Sequence, residues 1–236
     1  MTRGTAPHQP DDALAASLAG RFLVFEGPDG SGKTTQFRRL ARDVRARGQA
    51  VVEVREPGGT DVGEKIRKAL LEHSDEAMSV RCEMLLYMAS RAQLCEQVIG
   101  PALERAEAVF ADRFVQSTVS YQGHAGGLPL DEIEAVARIA THGTGADLVI
   151  VFDVDEPTAA KRLNPLMDRM EAKGAEFHRR VREGYHAQAE SDPHMFRVLD
   201  ARGSEDEVYA RLLATLRERF VTGLHASPLG TGRAAP

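Results

Sequence analysis

The chain has 236 residues, 42% hydrophobic and 28% charged, with 30 basic against 35 acidic side chains and a formal net charge of -5. That profile is globular and long enough for one compact domain that buries a core and still carries a cleft. It excludes a membrane span, which needs about 20 uninterrupted apolar residues, a disulfide framework or four-cysteine zinc site, since Cys82 and Cys95 are the only cysteines, and a long nucleic-acid footprint.

Residues 1–19 mix Pro, Gly, Ala and Asp without sustained periodicity and read as a mobile tail. They lack a basic start followed by a long apolar run, so nothing marks the protein for secretion, and a reducing cytoplasm is expected. From there short apolar runs alternate with amphipathic segments of ten or more residues, the signature of β-α units and a parallel sheet. In chain order the pattern predicts a strand over Phe22–Phe25, a helix over Lys33–Arg47, a strand over Val51–Val54, helices over Val62–Glu72 and Val80–Val98, and a strand over Ala108–Ala111. A helix over Asp131–Ala140, a strand over Leu148–Phe152, helices over Pro157–Arg162 and Glu171–Ala189, a strand over Phe196–Leu199 and a helix over Glu205–Phe220 follow, the last opened by a capping box of Ser204 and Glu207. The fold class is α/β, a doubly wound five-stranded parallel sheet flanked by helices, spanning residues 20–222, with residues 223–236 as a second mobile tail.

Directly after the first strand stands GPDGSGKTT, comprising Gly27, Pro28, Asp29, Gly30, Ser31, Gly32, Lys33, Thr34 and Thr35, which satisfies the P-loop pattern between strand and helix. Its glycines let successive N–H groups face an anion at a helix N-terminus, Lys33 reaches the β- and γ-phosphates of ATP, and the Thr34 hydroxyl can join a magnesium shell. A chance Gly-rich turn would lack that flanking pattern. A guanine-reading N-K-x-D is missing from the sequence, and Asp153 and Asp155 are spaced rather than adjacent, with Asp155 placed as a helix N-cap before Pro157. Neither a GTPase nor a motor ATPase is indicated.

The second strand ends in REPGGT, presenting Arg55, and the third in ADR, presenting Asp112 and Arg113. In a doubly wound sheet, strand carboxyl ends line the ligand crevice. Each arginine alone fits a surface ion pair; together beside a P-loop they fit a second anion. Of the 30 basic residues 25 are arginines, the planar fork suited to phosphate. If that anion is a phosphate monoester, its oxygen is already ionised near pH 7, so transfer needs positioning and charge neutralisation rather than a general base.

In order and spacing, GPDGSGKTTQ, REPGGT, LLYMASRAQ (85–93), DRFVQSTVSYQG (112–123) and a later DR resemble the thymidylate kinase family, over roughly residues 20–220. The resemblance implies a sheet of nucleoside-monophosphate-kinase type, a mobile lid, a homodimer, and ATP with magnesium as the means of phosphorylating dTMP. It places Lys33 and Thr34 on ATP phosphate and magnesium, Asp112 beside the metal shell, Asp29 near the sugar 3'-hydroxyl, and Arg55 and Arg113 on the acceptor phosphate. Tyr87 would stack on thymine, Arg91 would bond a base carbonyl, Tyr121 would lie beneath the deoxyribose, and Thr118 and Gln122 would meet the base edge.

On residue pattern alone, Tyr87 in an apolar helical stretch fits a core position equally well, although Arg91 shares its helix face at i+4. The P-loop carries no arginine, so the catalytic one is expected from the lid, about 161–174, where Arg169 is the first choice and Arg162 the second. This segment is about two residues shorter than the bacterial family pattern. The eight histidines show no ligand spacing. A kinase for another nucleoside monophosphate and a catalytically weak nucleotide-binding protein remain as alternatives.

Overall fold

A computed structural model describes residues 9–72, 77–162, 169–170 and 173–223. Five parallel strands, β1 (Phe22–Glu26), β2 (Val51–Arg55), β3 (Ala108–Asp112), β4 (Leu148–Asp153) and β5 (Phe196–Asp200), form one sheet in the order β2-β3-β1-β4-β5. The chain leaves β1 toward β2 on one side and β3 toward β4 on the other, so the order reverses around β1, and the crevice at that reversal opens beyond the strand carboxyl ends.

Side chains alternate across a strand, and here both sets are buried. Leu23 and Phe25 join one core cluster, Phe22 and Val24 the other, and all four have no exposed surface. This follows from covering both faces of a parallel sheet with helices, which turns the central strands into continuous apolar runs. In chain order the helices are α1 (Asp12–Ser17), α2 (Lys33–Arg45), α3 (Asp61–Leu71), α4 (Val80–Leu94), α5 (Gly100–Glu104), α6 (Val115–Thr118), α7 (Leu130–Thr141), α8 (Glu156–Arg162), α9 (Ala175–Ser191) and α10 (Glu205–Phe220). α4 runs into a π-helical stretch, Cys95–Ile99, that leads to α5, and α6 runs into another, Val119–Ala125.

Two expectations need correction, and one segment carried no expectation. Residues 1–19 are not all tail: α1 is capped by Asp11, whose carboxylate accepts from Leu14 N at 2.9 Å, and it seals one core cluster with Leu14 and Leu18, both without exposed surface. Burying each of these leucines contributes about 1.5–3 kcal/mol relative to leaving it in water, and six residues are too few for that amphipathic pattern to register. The helix expected to run through Val98 keeps α-geometry only to Leu94. The segment 115–125 is helical although its β-branched and glycine content disfavours it. Residues 224–236 of the expected second tail, and most of the expected lid, lie outside the described residues. Among the described residues no helix is long and apolar enough to cross a membrane, and no group of three or more His, Cys, Asp or Glu side chains could hold a metal ion.

Candidate active site

The loop between β1 and α2 is shaped by contacts that leave no room for side chains. Gly27 has φ +136°, and a Cβ there would stand 2.5 Å from the Phe152 carbonyl oxygen; Gly30 has φ +78°, and a Cβ would stand 2.4 Å from that of Ala159. Glycine alone tolerates both constraints, so the backbone N–H groups ahead of α2 can close around an anion.

Lys33 opens α2 and is nearly buried, with its ammonium 3.6 Å from Asp29 Oδ1. Burial pushes its pKa down, helped by Arg113, while Asp29, Asp112 and Glu26 oppose the shift. The Thr34 hydroxyl donates to Asp112 Oδ2 at 2.6 Å across the top of the sheet. A hydroxyl and a carboxylate at this spacing are the hard oxygen donors a magnesium ion accepts alongside phosphate oxygens and water, so these two residues fit the metal site expected of them.

Arg113 follows β3 with φ +74°, a left-handed conformation uncommon for a residue with a side chain. The conformation is held from outside. Glu26, fully buried at the end of β1, accepts from the backbone N–H groups of Phe114 (2.8 Å) and Ser117 (3.0 Å), from the Ser117 hydroxyl (2.7 Å) and from the Tyr185 hydroxyl (2.8 Å). Burial, with Glu26 adding to it, pushes the Tyr185 phenol well up, so it stays a donor. The guanidinium of Arg113 then reaches Ser117, Tyr185 and, through Nη2, Asp29 Oδ1 at 2.5 Å. Asp29 also accepts from the Tyr121 hydroxyl at 3.0 Å, and the Arg113 guanidinium lies 5.2 Å from the centre of the Tyr121 ring. Burial pushes the Asp29 carboxyl up, but Arg113, Lys33 and Tyr121 outweigh it and hold the group well below the usual carboxylate range.

A cavity of about 290 Å³ extends from this point, and Asp29, Lys33, Thr34, Arg55, Tyr87, Asp112, Arg113, Thr118, Tyr121 and Gln122 all line it. The structure therefore brings together ten of the residues expected at the site. Tyr87 is a wall of the cleft rather than core, and its neighbours Met84 and Met88 carry the core contacts of α4. A second cavity, also about 290 Å³, lies on the far side of the P-loop between Ser31, Gln36, Gly203 and Val208. Two cavities meeting at one glycine loop suit a donor and an acceptor.

Two further expected residues do not line this cavity. Arg91 is 1% exposed and does not line the cleft; Nε bonds Glu56 Oε2 at 2.8 Å, Nη1 bonds Thr118 Oγ1 at 3.2 Å and Met88 Sδ at 3.0 Å, and Nη2 bonds the Phe114 carbonyl at 3.0 Å. It braces the end of β2 against α6, because a buried guanidinium needs acceptors on every side. Arg169 does not reach the P-loop; its Nε donates to the Leu70 carbonyl at 2.8 Å and its Nη2 pairs with Glu83 at 2.7 Å. Of the two lid arginines, Arg162 is the one beside the P-loop, with Nη1 3.5 Å from the Ser31 carbonyl oxygen and 3.3 Å from that of Ala201.

Sequence reasoning missed Glu26, Tyr185, Ser117, Arg38, Arg67 and Glu83. Arg38 lies one turn and a residue beyond Lys33 on α2, a spacing that could have marked it; Tyr185 and Glu83 become relevant only through the fold.

Glu56 carries a pH signature. Its carboxyl is 4% exposed, and burial pushes its pKa from 4.5 up to about 7, with Arg91 opposing and Glu26 adding to the rise. A carboxyl whose pKa is raised on folding holds its proton more tightly in the folded chain, so its contribution to stability falls as pH rises from 4.5 to about 7 and is level above that. Thermal unfolding midpoints between pH 5 and 8 check this: the decline present in the wild type is absent in Glu56→Gln.

A glycine loop after β1, the strand order β2-β3-β1-β4-β5 and two cavities flanking the loop define a P-loop kinase of nucleoside-monophosphate type. The family model described as thymidylate kinase matches residues 25–212, and the chain belongs to that family. It is 42% identical over 207 residues to a thymidylate kinase of Chlorobaculum parvum, covering 83% of this chain and 95% of that protein. It is 43% identical over 204 residues to one of Deinococcus radiodurans, covering 85% and 98%. The solved structure of thymidylate kinase from Ehrlichia chaffeensis superposes with a TM-score of 0.69 at 28% identity, covering 84% of this chain and 99% of that one.

Proposed function

We propose that the chain transfers the γ-phosphoryl group of ATP to dTMP, giving ADP and dTDP. The observation that carries this reading is the single constellation in which Lys33 of the P-loop, Asp29, Arg113 and Tyr121 meet at the mouth of a cleft walled by Tyr87, Thr118 and Gln122. ATP phosphates enter the loop, and Lys33 neutralises charge on the β- and γ-oxygens. Arg113, with Arg55 at the rim, holds the acceptor phosphate in line, and Asp29 and Tyr121 orient the sugar beneath it. An acceptor phosphate oxygen already ionised near pH 7 attacks the γ-phosphorus while the bond to the β–γ bridging oxygen breaks; the proton inventory is unchanged and no general base is required. Thr34 and Asp112 would hold magnesium, which would supply charge screening to the phosphates. The family resemblance supports a homodimer working in the cytoplasm.

The lid arginine of this reading is Arg162, from its place beside Ser31 at the donor cavity, with Arg169 serving the acceptor side through Glu83. Arg162→Ala lowers kcat far more than it raises KM for dTMP, whereas Arg169→Ala raises KM for dTMP with a smaller change in kcat. Steady-state kinetics on the two variants separate these roles, and the reverse pattern returns catalysis to Arg169.

The reading is tested by magnesium-dependent ADP release with ATP and a panel of dTMP, dUMP, UMP, dCMP, AMP and GMP, each acceptor omitted in turn. A strong preference for dTMP with little acceptor-free release is expected. Preference for a purine or ribonucleotide overturns the substrate assignment, and ATP binding without transfer to any acceptor overturns the enzyme.

A further inference from the structure

Glu83 lies one helical turn before Tyr87 on α4, is 1% exposed, and sits behind the cleft wall rather than in it. A buried carboxylate is costly unless its oxygens are fully engaged, and here three residues converge on it. Arg169 Nη2 reaches Oε2 at 2.7 Å, Lys173 Nζ reaches both oxygens at 3.2 Å, and Gln122 Nε2 donates to Oε1 at 2.7 Å. None of these contacts is with the reacting phosphates.

The Gln122 bond carries chemical information. An ionised carboxylate only accepts, whereas a carboxamide has one end that donates and one that accepts. Facing Glu83, Gln122 must turn its NH2 inward. The opposite orientation would set two acceptors against each other in a buried place, leaving both without the hydrogen bond they need. Gln122 is itself 1% exposed and lines the cleft beside Thr118, so the end left to meet a ligand there is its carbonyl oxygen, an acceptor.

We propose that Glu83 is a positioning residue that locks the Gln122 amide with its carbonyl oxygen toward the base, so that the site selects a pyrimidine carrying an N3–H donor and rejects one whose N3 is an acceptor. The selection is thymine over cytosine, and it rests on the dTMP reading of the cleft. A site whose buried acceptor is left unpaired by the wrong ligand discriminates far more strongly than one that distinguishes by size. Arg169 and Lys173 balance the charge of Glu83 behind the cleft wall.

The test compares kcat/KM for dTMP and dCMP in the wild type and in three variants. In Glu83→Gln the new amide can face Gln122 with either end, so Gln122 is free to turn; the dTMP-to-dCMP ratio narrows at least roughly tenfold. The loss for dTMP falls on KM, and kcat with dTMP changes by less than about threefold, since Glu83 touches no reacting atom. Glu83→Asp keeps the charge for Arg169 and Lys173 but draws the oxygens back from Gln122, and it narrows the ratio in the same direction should Glu83→Gln fail to fold. Gln122→Met, which has no amide, narrows the ratio on its own. A merely structural Glu83 lowers both substrates together, so an unchanged ratio in Glu83→Gln, or in Glu83→Asp where that is the folded variant, overturns the proposal while Gln122→Met still narrows it. A wild type that does not prefer dTMP to dCMP overturns the underlying reading instead.

Discussion

Replacing Lys33 with alanine lowers kcat by a factor on the order of a hundred or more, as removal of a positioned charge partner of the transition state does. Lys33 is almost fully buried between the P-loop and the sheet, and its ammonium is 3.6 Å from Asp29, the same carboxylate that Arg113 grips. It therefore stands where donor and acceptor charges meet. Its loss removes neutralisation of the β- and γ-oxygens and also one of the cations that keeps Asp29 ionised. Single-turnover kinetics with saturating ATP and dTMP check this without interference from product release. Near-normal turnover in the variant contradicts the placement of the γ-phosphate at this loop.

Arg113→Ala produces a loss of the same order in kcat/KM for dTMP, with ATP affinity far less affected. The guanidinium is oriented from three directions, by Ser117, Tyr185 and Asp29, and the backbone that presents it is held in its left-handed conformation by Glu26, which accepts from the N–H groups of Phe114 and Ser117. Arg113→Lys restores only part of the activity, because an ammonium cannot reproduce a planar fork that grips two oxygens at once. The Asp29 carboxyl, held low by Arg113 and Lys33 against its burial, loses the larger of these two charge partners in the alanine variant. Calorimetric titration with ATP and with dTMP separates the two sites: ATP binding persists and dTMP binding weakens sharply. Equal loss of both places Arg113 in the general architecture rather than on the acceptor.

The residues that end the strands show how far the amino-acid pattern reaches. Apolar runs point to strands ending at Phe25, Val54, Ala111, Phe152 and Leu199, whereas each strand pairs for one residue more, at Glu26, Arg55, Asp112, Asp153 and Asp200. All five extra residues are charged. The hydrophobic pattern stops at the last apolar residue, but the ladder continues one residue further, where Arg55 and Asp112 line the cavity, Glu26 holds the turn that presents Arg113, and Asp153 and Asp200 pair with Arg182 and Arg202. Arg55 and Asp112 were legible there because REPGGT and ADR are motifs; Glu26 was not, since it stands between an apolar strand and the P-loop with no pattern of its own.

The lining of the cleft was legible for Tyr87, Thr118, Tyr121 and Gln122, while Arg91 lies buried away from it. Helical spacing put Arg91 on the face of Tyr87, but spacing does not reveal that Glu56, Thr118 and the Phe114 carbonyl converge on the guanidinium first. The placement of Arg162 and Arg169 was not legible for the same reason: both lie in one segment, and only the fold shows that the second pairs with Glu83 while the first stays by Ser31. α1 escaped notice because its stability comes from Leu14 and Leu18 entering the core, not from a pattern six residues can display.

The central claim is that the two ends of the crevice act on one phosphoryl group, and the most direct measurement follows that group. The wild-type protein is incubated with γ-labelled ATP, magnesium and dTMP, and label is counted in dTDP and in free phosphate at the same time points. The account predicts label in dTDP, with free phosphate a small fraction and no transfer when dTMP is omitted. Label that accumulates mainly as free phosphate, or stays in ATP while both nucleotides bind, contradicts it.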